Sequence, residues 1–158
     1  MLESLKQLLA DLAGGTKPQP HFHDDDYRLA AAALLIHVAS IEREASPMAR
    51  EKLHSVLKSR FELDEETTNE LIEKATAADR EAVDLYHFTS LINRSLNEEG
   101  RRRIVEMMWE IIYADGRVSE FEENVIWRAS DLLGVAARDR IEIGRRIAAQ
   151  RAASAPSQ

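Results

Sequence analysis

Apolar residues along this chain recur three and four positions apart, and no segment alternates apolar with polar residues in the period of a strand. Glycine and proline, six and four in 158 residues, interrupt that pattern at few places. The pattern predicts an all-α fold. Leu2, Leu5, Leu9 and Leu12 line one side of an amphipathic helix over residues 1–15, closed by Gly14 and Gly15. Residues 16–26 read as a linker. Within it, HFHDDD (His21 to Asp26) has the composition of a metal-binding tract, but the aspartates are better placed to start a helix, because carboxylates complement the exposed N–H groups there. The helix they open, over 27–41, is apolar nearly all round, which predicts a central position.

Later helix starts carry equally local signals. Ser46 before Pro47 is an N-cap with proline at the first helical position, and Leu53, Val56 and Leu57 form the inward stripe of that helix. Leu63-Asp64 with Glu65 and Glu66 opens a helix carrying Leu71, Ile72 and Ala75. Asp84-Leu85-Tyr86 opens one carrying Leu85, Phe88 and Ile92. Asn97 caps a long helix with Ile104, Met107, Met108 and Ile111 inward, Ser119 caps one ending at Gly134, and a last helix carries Ile141 and Ile147 inward. Seven to eight helices result. The domain spans 27–151, and residues 152–158 read as a disordered tail.

A shift of 73 positions lays LLIHVASIEREAS over MMWEIIYADGRVS without a gap. His37 then falls on Glu110, Glu42 on Asp115, Ser46 on Ser119 and Arg43 on Gly116. Two copies of helix, loop and capped helix imply a weak internal pseudo-twofold repeat, with the two long apolar helices packed together.

Composition narrows the function classes. Hydrophobic residues at 44% and charged residues at 31% suit a globular domain with one core. A net charge of −7 argues against nucleic acid, and the densest basic run, Arg101-Arg102-Arg103, follows Glu98-Glu99 as a solvated helix face. With no cysteine, the chain has no disulfide framework, thiolate zinc site or cysteine nucleophile. The N-terminus lacks the basic start of a secretion signal, and the longest apolar run, LAAAALLIHVA, is about half the length needed to cross a bilayer. The expected location is cytoplasmic. No nucleophile elbow, HExxH motif or glycine-rich phosphate loop is present, so enzyme activity is the least supported class.

YADGRVSEFEENVIWRASDLLGV, together with AVDLYHFTSLIN, resembles the TerB-like domain, the module named after bacterial tellurite-resistance proteins, and within it a stand-alone subgroup in which a DLYxFT string separates two repeats. The resemblance covers about 27–147. It implies an all-helical fold of about seven helices, no catalytic activity, a stress or tellurite-response role, and a metal site lined by acidic residues. By position those residues are Glu110, Asp115 and Glu122. In the first copy His37 stands at the Glu position and Ile41-Glu42-Arg43 replaces ADG, so Glu42 and His37 complete the candidate metal set. All-oxygen ligands favour calcium, magnesium or manganese, and His37 shifts the preference towards zinc or manganese.

Each of these residues also has a plain structural reading. Gly116 suits the positive φ that ends a helix, and Ser119 with Glu122 forms a capping box. His37, among Ala33, Leu34 and Ile41, suits a core histidine satisfied by a hydrogen bond, with Glu110 as its expected partner. Glu110, within MMWEII, would be costly near the core unless paired or coordinated. Two readings follow: a non-catalytic module with a divalent ion at the Asp115 junction, and a metal-independent scaffold for a protein partner or for a homo-oligomer. The second draws on Trp127, expected half exposed beside the buried Ile126 position, and on the leucine stripe of 1–15, whereas Trp109 is expected in the core.

Overall fold

The computed structural model describes residues 21–41, 45–116 and 118–154. The expected helix at 1–15 and the candidate ligand Glu42 lie outside the described residues.

Side-chain caps set where most of the helices begin. Asp26 accepts from the backbone N–H of Arg28 and starts α1 (Tyr27–Ala39); Ser46 accepts from that of Ala49 and starts α2 (Pro47–Arg60). Asp64 starts α3 (Glu65–Glu81), Asp84 accepts from the N–H of Tyr86 at the head of α4 (Tyr86–Ser95), and Asn97 starts α5 (Glu98–Ile112). A 3-10 turn at Tyr113–Asp115 leads to α6 (Glu120–Leu132) and then α7 (Ala137–Ser154). Among the described residues there are seven α-helices and no strand.

The order of burial follows the apolar pattern. In α1 every residue from Leu29 to Ile36 is buried, because this helix is covered on all sides by α2, α3, α4, α5 and α6. From α5 come Ile104, Met107, Met108 and Ile111, buried as their spacing predicts. Burial of this many large apolar side chains, each contributing about 1.5–3 kcal/mol, is the main stabilising term.

The repeat is visible in the helix ends. The offset of 73 carries Ala39, the last residue of α1, onto Ile112, the last of α5; it carries Pro47, the first of α2, onto Glu120, the first of α6. The two apolar helices pack against each other as the repeat implies.

Two elements differ from the sequence reading, the second in two respects. Part of the segment 16–26 is packed: Phe22 is 1% exposed, the Arg28 guanidinium stacks 4.7 Å over its ring, and Lys74 Nζ donates to its carbonyl. α7 continues through Ala152–Ser154, past the expected end of the domain. Its inward residues are Ile143, Gly144 and Ile147, whereas Ile141, expected inward, is 44% exposed.

Candidate functional site

The junction between α5 and α6 is built by local chemistry. Gly116 adopts φ 81°, a left-handed conformation that a residue with a Cβ adopts only with strain, and its N–H donates to the Tyr113 carbonyl. Ser119 Oγ accepts from the Glu122 N–H and Glu122 Oε1 accepts from the Ser119 N–H, both at 3.1 Å. This capping box satisfies two N–H groups that the start of α6 would leave unpaired.

Glu110 lies one helical turn before the junction and faces α2. Its Oε1 accepts from Arg60 Nη2 at 2.7 Å, and the same Nη2 donates to Glu106 Oε1 at 2.6 Å. Glu106 Oε2 accepts from Arg146 Nη2 at 2.9 Å, so one chain of charges ties α2, α5 and α7. Burial opposes the charge on Arg60, but hydrogen bonds to Glu106 and Glu110 outweigh it and raise its pKa above the usual guanidinium value. A pocket of about 300 Å³ beside Glu110 is lined also by Lys52 and Arg151. Arg151 reaches the turn itself, since a Cβ at Gly116 would stand 3.5 Å from its Nη2.

The expected partnership of His37 with Glu110 is not made. His37 Nδ1 lies 3.0 Å from Asp79 Oδ1 on α3, half-buried as a satisfied histidine should be, while Glu110 turns to Arg60. The repeat places the two residues at equivalent positions, but α3 covers the first copy and α2 the second. Asp115 is exposed on the 3-10 turn. Among the described residues no group of three or more His, Asp or Glu side chains lies close enough to hold a metal ion. As arranged here, Arg60 holds Glu110, the capping box holds Glu122, Asp79 lies beside His37, and Lys52 and Arg151 line the pocket beside Glu110.

A different feature lies between α6 and α7. The Trp109 indole stacks on Tyr113, ring centroids 5.6 Å apart and planes 20° apart, and its Nε1 donates to the Arg140 carbonyl at 3.1 Å. Gly144 lets α7 lie directly on that ring. Above this floor runs a groove of about 490 Å³, with Trp127 and Ile141 on its walls. Glu120 and Glu123 form the α6 edge, and Arg140 and Arg145 the α7 edge. Among the described residues none of these four makes an ion pair, whereas Arg60, Arg102, Arg103 and Arg146 each hold a carboxylate. Trp127 is legible in the sequence as half exposed; the rest of the groove is not, because the hydropathy of Ile141 marks it as core.

A family model described as tellurite resistance protein TerB matches residues 28–145. The chain belongs to the TerB family. No curated protein and no solved structure matches it. The TerB match runs from the start of α1 to Arg145 and takes in both edges of the α6–α7 groove. No helix among the described residues is long and apolar enough to cross a membrane.

Proposed function

We propose that this TerB-family protein is a non-catalytic, cytoplasmic binding module that engages a protein partner through the α6–α7 groove and needs no metal ion to do so. The observation that carries the reading is the groove itself. A half-exposed tryptophan lies over a stacked aromatic floor, and four charges without partners among the described residues rim it. Tryptophan and arginine are the side chains that concentrate binding energy at protein interfaces, and an apolar centre inside a charged rim is the usual anatomy of one. Trp127 adds little to the core, so stability does not account for a large aromatic residue at that position. Independence from metal is supported at the junction. Its turn is already closed by the Gly116 N–H bond and the capping box, and Glu110 is neutralised by Arg60. A stress or tellurite-response role rests on family membership alone, and loss of tellurite tolerance in cells lacking the protein would support it.

The test is a thermal melt of metal-stripped protein with calcium, magnesium, manganese or zinc added in turn. A ligand that binds only the folded state must raise the midpoint. The expected result is an unchanged midpoint for every ion. A rise with one ion, absent in Asp115→Asn, would replace this reading with an ion-loaded junction.

A further inference from the structure

We infer that the occupant of the α6–α7 groove is a second copy of this chain, docked about a twofold axis that runs along the groove. The inference rests on the groove being the binding surface, and it adds the partner. Its warrant is the way the charges are sorted. Both carboxylates, Glu120 and Glu123, stand on the α6 edge, and both guanidinium groups, Arg140 and Arg145, stand on the α7 edge. A twofold interface uses the same patch on both subunits, so the patch must be its own complement. Rotation by half a turn about the groove's long axis lays the acidic edge of one copy over the basic edge of the other, twice. A partner carrying a single sign of charge would meet repulsion along one edge, and opposed charges across an interface are what fix its register.

The apolar residues obey the same symmetry. Trp127 is 51% exposed and Ile141 44%, one from each wall, so a second copy offers each of them the other's surface. The described chain leaves about half of each uncovered. None of the four rim charges has an ion-pair partner within the described residues, so docking brings each an opposite charge without breaking a pair.

Sedimentation equilibrium of the full chain tests the inference, with circular-dichroism melts confirming that each variant is folded. Wild type is expected to dimerise with rising concentration. Trp127→Ser is expected to remain monomeric. Glu120→Arg with Glu123→Arg makes both edges basic, and Arg140→Glu with Arg145→Glu makes both acidic. Each of these double variants alone should dimerise at least roughly tenfold more weakly. Mixed in equal amounts, they should pair with each other, because each basic edge then faces an acidic one. A wild-type monomer up to millimolar concentration would overturn the dimer while leaving the groove free to hold a different protein. A dimer that survives Trp127→Ser would overturn both the dimer geometry and the choice of groove, and would turn attention to the leucine stripe of 1–15. Loss of association in the double variants without recovery on mixing would overturn the twofold arrangement.

Discussion

A Cβ at residue 144 would stand 2.8 Å from Trp109 Cε2 and 2.9 Å from Cζ2, closer than packed atoms allow. Alanine normally stabilises a helix by about 1 kcal/mol over glycine. Here the indole cannot step aside, because it is stacked on Tyr113 and bonded to the Arg140 carbonyl. Gly144→Ala should therefore lower stability by about 1–3 kcal/mol in urea unfolding, the cost typical of overpacking. A gain would show that α7 does not lie on the ring. The two tryptophans should separate sharply in the same assay: Trp109→Ala costs about 3–5 kcal/mol, as for a large buried side chain, while Trp127→Ser stays within about 0.5–1 kcal/mol. Ser130 is fully buried with no hydrogen-bond partner for its Oγ among the described residues. An unsatisfied buried hydroxyl costs about 1–3 kcal/mol, so Ser130→Ala should leave stability unchanged or raise it. A marked loss would reveal a bond to water or to another group.

At the scale of the helices, what the sequence shows is what local chemistry decides. Ser46 with Pro47, Asp64, Asn97 and Ser119 cap helices through bonds to residues three positions on, and each of those starts could be read from a few neighbouring letters. Ser119→Ala should cost about 1 kcal/mol in a denaturant melt, because it removes half of the capping box. The inward face of α7 was misread for a physical reason: hydropathy marks Ile141 as core, but the close approach to Trp109 requires Gly144 inward, and a glycine gives no hydropathy signal. The partners of His37 and Glu110 were equally hidden, since Asp79 and Arg60 reach them across helix packing that no periodicity encodes. Asp26 illustrates how an end cap couples to pH. Burial pushes its carboxyl up, but hydrogen bonds from the Arg28 side chain and backbone, together with the charge on Arg28, hold it below the usual value of 3.8. A carboxylate with a depressed folded pKa stabilises the fold above its ordinary range, and that contribution is lost as pH falls through the depressed value. Asp26→Asn keeps a capping oxygen and loses the ion pair. It should be less stable than wild type by roughly 1 kcal/mol at neutral pH, and the gap should close as pH falls through the depressed value. A gap that persists in acid would contradict this assignment.

For the whole molecule, the all-helical class, the repeat and the central place of α1 and α5 were legible in the sequence, because long apolar stripes leave one way to bury them. In the acidic string around Asp115, Gly116 closes a turn, Glu122 completes a capping box, and Glu110 upstream has a guanidinium partner. The α6–α7 groove, with its sorted rim, is a surface that carries no internal role among the described residues. The most direct check of that claim is the indole N–H spectrum of isotope-labelled, metal-stripped protein recorded from micromolar to millimolar concentration. The chain holds two tryptophans, hence two indole signals. The Trp127 signal should shift or broaden as concentration rises, with chelator present throughout, while that of buried Trp109, already bonded to Arg140, stays nearly in place. If both signals stay fixed across the range, or if Trp127 responds only after a divalent ion is added, the account of a metal-independent, self-complementary binding groove is wrong.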